Sequence, residues 1–288
     1  MRSQKKDPQF SMVSKSLSDT ALSFLAPSSI AIIGASQDPG KRGYQALRLL
    51  LSDRFEGDLY PVNPKMDEIL GVTCFPNMAA LPATPDLALI CTPARTLPEM
   101  IRTCGEKGVG GCVVLAGGFS EAGPEGEEIE RKMLDMARQY GVRLIGPNTS
   151  GCFNLHKNMN LAGIPLVKPG GLGLISQSGN MALSITTSAA GKGNLGFSTY
   201  VGVGNQVDIS FAEYLGYLAA DPHTEVATMY VEGFGDGRAF LEQARKVTPH
   251  KPVVLYKAGK TSLGQSSAKS HTGSLAGSYE MARDLLHQ

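Results

Sequence analysis

The 288-residue chain contains no tryptophan, and only 7% of its residues are aromatic. Its core must therefore be filled by Val, Ile, Leu and Ala rather than by large rings. The five cysteines (Cys74, Cys91, Cys104, Cys112, Cys152) are odd in number and lack C-x-x-C spacing. That argues against a disulfide framework and a zinc site, and makes a reducing, cytoplasmic setting the expectation. No apolar run reaches the ~20 residues of a membrane-spanning helix. A net charge of +1 lacks the excess that nucleic acid or an anionic membrane would demand of a partner. The first twenty residues are polar and basic without the apolar core of a signal peptide, so residues 1–24 are read as a disordered leader.

What is abundant is glycine, 34 residues of it, placed where apolar runs end. From Ser29 onward, short apolar runs close on Gly or Pro and give way to amphipathic stretches. Strands are expected at Ile30–Ile33, Leu59–Val62, Leu87–Cys91, Gly111–Leu115 and Val142–Ile145. Helices are expected at Tyr44–Leu51, Leu97–Glu106 and Glu127–Tyr140; in the last, Ile129, Met133, Leu134 and Ala137 share one face. Strand–helix alternation means right-handed crossovers and a mostly parallel sheet, hence an α/β fold. Gly146 to Pro169, rich in Gly, Asn and Pro and without periodicity, reads as a link. The alternation then restarts, with strands at Leu172–Ile175, Phe197–Val201, Val226–Val231 and Pro252–Tyr256. Helices at Ala182–Ala190, Ile209–Ala219 and Arg238–Val247 complete a second parallel unit, and a last helix is a candidate after Gly277.

The first strand runs into Gly34-Ala35-Ser36-Gln37-Asp38-Pro39-Gly40-Lys41-Arg42-Gly43 and then a helix. Such a turn offers backbone N–H groups at the positive end of a helix dipole, which suits a phosphate; a plain tight turn is the bland alternative. The second strand ends Asn63-Pro64-Lys65. A dinucleotide site normally carries an acid there, so Lys65 disfavours NAD and favours a ribose bearing phosphate, in NADP or CoA. Thr92-Pro93-Ala94, Gly117 and the Gly146-Pro147-Asn148 turn end later strands and line the same edge. In the second unit, Ser176-Gln177-Ser178-Gly179-Asn180 joins a strand to a helix, with Ser178 near the N-cap. That is plain helix capping or an anion seat.

His271 lies in Lys269-Ser270-His271-Thr272-Gly273, among small residues that leave its ring accessible to a large charged group. His156, His223, His250 and His287 are read as surface residues. A histidine acts as a covalent nucleophile when one ring nitrogen attacks and an acceptor holds the other. Glu232, at the end of a strand, is the candidate acceptor; a solvated turn residue is its bland reading.

In this order the motifs resemble the α subunit of succinyl-CoA synthetase and, more closely, the α portion of ADP-forming acetyl-CoA synthetases, the NDP-forming acyl-CoA synthetase family. The residues carrying the likeness are Ile33–Ser36, Asn63–Lys65, Thr92–Ala94, Gly146–Asn148, Ser176–Asn180 and Lys269–Gly273. The resemblance implies a Rossmann-like CoA-binding domain over residues 25–150. It implies a flavodoxin-like ligase domain over 151–288, incomplete at its C-terminal end. CoA would be held by Gly34, Ala35, Ser36, Lys41, Lys65, Thr92, Pro93, Ala94, Gly117 and Asn148. Ser178, Gly179 and Asn180 would receive phosphate, His271 would carry the phosphoryl group, and Glu232 would hold its ring.

The implied reaction converts acyl-CoA, phosphate and NDP to acid, CoA and NTP through an acyl phosphate and phosphohistidine. The family's ATP-grasp domain and any Walker-type loop are missing from the sequence. An ATP-grasp partner or β subunit is therefore expected to supply Mg2+ and ADP/ATP (or GDP/GTP), in a hetero- or homo-oligomer acting on a small carboxylic acid. Two other readings stand beside this one. A non-catalytic CoA-binding or lysine-acyltransferase-associated module keeps the first half, and an NADP-dependent reductase explains Lys65 but not the second unit.

Overall fold

A computed structural model describes residues 22–164, 167–192 and 195–261, together with Arg283. The first unit begins with Ser29–Ile33 (β1), buried at every position, and crosses through Arg42–Ser52 (α1) to Asp58–Val62 (β2). A small hairpin, Glu68–Ile69 (β3) and Val72–Thr73 (β4), precedes Leu87–Ile90 (β5). Leu97–Lys107 (α2), Gly111–Val114 (β6), Pro124–Tyr140 (α3) and Arg143–Ile145 (β7) follow. Local chemistry sets the helix ends. α2 and α3 both carry Pro and acidic residues in the first turn, and both stop at a left-handed glycine, Gly108 (φ 86°) and Gly141 (φ 68°).

The strands stand in the order β2-β1-β5-β6-β7, all parallel. β1 has a neighbour reached forward in the chain on each side, so the loops after β1 and β5 open away from each other. That crevice is where open α/β sheets bind ligands.

The second unit contains Cys152–Asn154 (β8), Met159–Asn160 (β9), Pro169–Ser176 (β10), Gly179–Lys192 (α4) and Phe197–Gly202 (β11). It continues with Phe211–Ala220 (α5), Val226–Val231 (β12), Gly237–Val247 (α6) and Val253–Lys257 (β13). α5 opens on a capping box, Ser210 with Glu213. The order is β13-β12-β10-β11-β8-β9, parallel through the first four strands. Here the reversal of order falls between β10 and β12.

The predicted elements are present, with ends moved by at most three residues. The exception is the stretch read as a link. It contains β8, which adds antiparallel to the free edge of β11, and β9, which adds antiparallel to β8. Two- and three-residue strands are too short to show alternation, and their partner supplies the order. The candidate helix after Gly277 lies outside the described residues, apart from Arg283.

The two units share a continuous apolar cluster in which Ile145, Cys152 and Leu161 meet Val201 and Val203. The segment after β11 also runs along the open edge of β7: Val207 N–H donates to the Gly146 carbonyl, and Leu144 N–H donates to Asp208. An edge strand is thereby covered.

Candidate functional site

At the first sheet's crevice, Gly34 adopts φ +81°, and its N–H donates to the Val62 carbonyl. A Cβ at Gly34 would lie 2.9 Å from the Thr92 methyl group, and one at Gly43 would collide with the Gly34 carbonyl. The loop is thus closed down onto the start of α1 and onto the β5 end, where only glycine fits. Ser36 Oγ accepts from Asp38 N–H, and Asp38 in turn accepts from Gly40 N–H at 2.9 Å. Asn63 joins β2's end to the loop by donating to the Ala35 carbonyl at 2.7 Å, while its Oδ1 accepts from Lys65 N–H.

Lys41 and Lys65 are exposed beside this crevice, and Thr92 caps the turn through Thr96. Pro93 and Ala94 open the turn that leads into α2. Cys91 sits just behind them, half-buried, its thiol pushed up to about 12 by burial despite the nearby charge of Arg42.

Gly117 is exposed on the same edge, and a Cβ there would press on Asn148 and Glu121. Asn148 is itself left-handed (φ 56°), and its N–H donates to the Ala116 carbonyl. Its side chain approaches Asn205 Oδ1 at 3.5 Å, and Asn205 donates to Glu121 Oε2 at 2.7 Å. Glu121 also accepts from Gly118 N–H at 2.7 Å. Burial pushes the Glu121 carboxyl up, but the Asn205 and Gly118 bonds outweigh it and hold the group below its ordinary range.

At the second crevice, Ser178 caps α4: its Oγ accepts from Met181 N–H at 3.3 Å. The N–H groups of Gly179 and Asn180 precede the helical ladder and point out of its end. Glu232, directly after β12, is buried (7% exposed), which replaces the solvated turn reading. Its carbonyl accepts from Lys257 Nζ at 2.7 Å, and burial holds the Lys257 ammonium below its ordinary range against the opposing charge of Glu232. Its N–H donates to Gln177 Oε1 at 2.5 Å. His271 lies outside the described residues.

The two crevices share one linker. The Ser150 carbonyl accepts from Arg42 Nη2, in the first turn of α1, at 3.4 Å. Its side chain packs against Gly179, where a Cβ would lie 3.2 Å from that of Ser150. Thus the start of the glycine loop's helix, α1, and the start of α4 converge on residue 150. Sequence reasoning had not selected Ser150, Glu121, Asn205, Lys257 or the side chain of Gln177. Each makes a contact with a residue between 25 and 108 positions away, which no local pattern signals. Among the described residues there is no group of three or more His, Cys, Asp or Glu suited to a metal ion. No helix among them is long and apolar enough to cross a membrane.

Fold and edges together define an α/β protein with two ligand crevices in series. Residues 28–154 match the family described as CoA binding domain, and residues 169–288 match the succinyl-CoA ligase like flavodoxin domain. The α subunit of acetate–CoA ligase [ADP-forming] II from Pyrococcus furiosus is 42% identical over 258 residues, covering 90% of this chain and 56% of that protein. Acetate–CoA ligase [ADP-forming] I from Archaeoglobus fulgidus is 43% identical over 264 residues, covering 91% and 38%. A solved structure, Ca. Korarchaeum cryptofilum dinucleotide forming acetyl-coenzyme A synthetase 1 in complex with phosphate and ADP, superposes with a TM-score of 0.86. It is 39% identical, and the match covers 91% of this chain and 56% of that one. The chain belongs to the NDP-forming acyl-CoA synthetase family and carries its CoA-binding and succinyl-CoA-ligase-like domains. It spans between a third and three-fifths of the length of these relatives.

Proposed function

We propose that this chain is the CoA-binding and phosphohistidine-carrying part of an NDP-forming acyl-CoA synthetase, divided into a domain over 25–150 and a second over 151–288. The observation that carries the reading is the convergence of both crevices on Ser150, through Arg42 and Gly179. A thioester exchange at one edge and a phosphoryl transfer at the other need such proximity.

In the first crevice, Gly34, Ala35, Ser36 and Lys41 hold the CoA phosphates, and Lys65 faces the ribose phosphate. Thr92, Pro93, Ala94 and Gly117 line the cofactor toward Asn148 at its thiol end. CoA supplies the thiol that leaves when phosphate attacks the acyl carbon. In the second, His271 takes the phosphoryl group from the acyl phosphate, releasing the carboxylate, and passes it to NDP. Gly179 and Asn180 donate N–H groups to the phosphoryl oxygens, Ser178 sets the helix start, and Glu232 holds the protonated ring nitrogen. An ATP-grasp domain or β subunit supplies Mg2+ and the ADP/ATP or GDP/GTP site, in an oligomeric assembly placed in the cytoplasm.

A thermal-shift panel with CoA, desulfo-CoA, dephospho-CoA, NADPH and NADH tests the reading. A ligand at a hundred times its dissociation constant adds about 2.7 kcal/mol. CoA and desulfo-CoA should stabilise, and dephospho-CoA should stabilise less. Stabilisation by NADPH alone would replace this reading with a reductase.

A further inference from the structure

Resting on the reading of Glu232 as the carboxylate that holds the His271 ring, we infer that Gln177 is the positioning residue for Glu232. Its carboxamide fixes the turn from which that carboxylate is aimed. β12 ends at Val231 and α6 begins at Gly237, so among the described residues no strand ladder restrains the segment between them. Gln177 does so from across the crevice. Its Oε1 accepts from both Glu232 N–H (2.5 Å) and Gly233 N–H (3.1 Å), and its Nε2 donates to the Gly233 carbonyl at 3.2 Å and to Gln206 Oε1 at 2.9 Å.

The amide orientation is fixed by chemistry rather than by choice. Two backbone N–H groups can only donate, so the atom facing them is oxygen, and the Gly233 carbonyl can only accept, so the other is nitrogen. The same logic carries to Gln206, whose Nε2 donates to the Ile209 carbonyl and whose Oε1 is thereby left toward Gln177. All four bonds of the carboxamide are therefore made, three to the Glu232–Gly233 turn and one to Gln206. Gln177 is itself held, its N–H donating to the Tyr230 carbonyl as an extension of the β10–β12 ladder.

On the opposite side, Lys257 clamps the Glu232 carbonyl. The backbone that carries the carboxylate is thus gripped at its N–H by one neighbouring strand and at its C=O by the other. Glutamine is the residue this requires. Methionine has the length without the bonds. Glutamate keeps the two acceptor contacts but loses both donors and sets a second negative charge near Glu232, which Lys257 and Tyr230 already face.

The test uses the full chain and 32P-labelled phosphoramidate, a phosphoryl donor without an acyl group. Labelling at His271 is read as the acid-labile signal lost in His271→Asn, and CoA-induced thermal stabilisation is measured on every variant. Gln177→Met should slow labelling about tenfold to a hundredfold, the scale of a small misplacement of a reacting partner, with the CoA response unchanged. Gln177→Glu should fold and move the acidic limb of the labelling pH profile upward, since a nearby carboxylate disfavours ionisation of Glu232. Wild-type rate and pH profile in both variants, with Glu232→Gln slow, would overturn the positioning role and leave the functional reading standing. Equal labelling of the unchanged chain and His271→Asn would overturn the phosphohistidine reading, and the role of Gln177 with it.

Discussion

Arg143 and Asp208 lie 3.0 Å apart across the junction of the two sheets, and the same guanidinium reaches Glu213 at 2.9 Å. One arginine at the start of β7 therefore pairs with two carboxylates of the second unit, one of which also accepts from Leu144 N–H. All three side chains are partly shielded, so Arg143→Met would leave two half-buried charges without their partner. A loss of about 1–3 kcal/mol is expected, less than for a fully buried pair because water still reaches the site. The urea midpoint of the unfolding transition measures it.

The same junction predicts a direction in pH. Burial raises the Glu213 carboxyl, but the Ser210 N–H and Arg143 outweigh it and the group is held below its ordinary range, as is Glu121. A depressed carboxyl contributes stability that is fully present above the ordinary value of about 4.3 and is lost as pH falls through the folded value. Melting temperature should therefore fall with acid below about pH 4.5, and the fall should be shallower in Arg143→Met, which no longer holds Glu213 down.

Gly43→Ala tests the closed glycine turn. The added methyl group meets the Gly34 carbonyl, so α1 must move off the loop or the loop must open. Overpacking of this kind costs about 1–3 kcal/mol. CoA affinity, measured by calorimetry, should fall by at least tenfold, whereas acid-labile labelling of the second unit should persist.

Lys65→Ala should weaken CoA more than dephospho-CoA. If Lys65 faces the 3′-phosphate, the ratio of the two dissociation constants collapses toward one in the variant. An equal loss for both ligands would assign Lys65 to another phosphate.

His271→Asn separates the ligase reading from a non-catalytic CoA module. With an ATP-grasp partner from the same family added, ATP formation from acyl-CoA, ADP and phosphate should disappear in the variant while CoA stabilisation stays. A module that only senses CoA would show no difference between the two chains.

The parallel sheets were legible because each strand is a short apolar run closed by Gly or Pro. The helices carry period-3.6 faces such as Ile129, Met133, Leu134 and Ala137. Ser178 as a cap was legible for the same reason, since its spacing to Met181 is local. What stayed hidden depends on partners distant in sequence. β8 is a strand only because β11 has a free edge beside it, and β9 because β8 then offers one in turn. Glu232 was legible as a candidate acceptor, but its burial was not, nor the hold of Gln177 and Lys257 on its backbone from neighbouring strands. Neither contact leaves a trace in the order of residues.

The burial of the thiols has a practical consequence at the bench. Cys74, Cys104, Cys112 and Cys152 are buried, and Cys91 and Cys152 are both pushed up to about 12. Thiolate is the reactive form; burial shields four of these thiols from a reagent and disfavours ionisation of Cys91 and Cys152. A colorimetric thiol reagent added to a turnover mixture would then count the CoA set free and not the protein, allowing thioester cleavage to be followed continuously without a coupling enzyme.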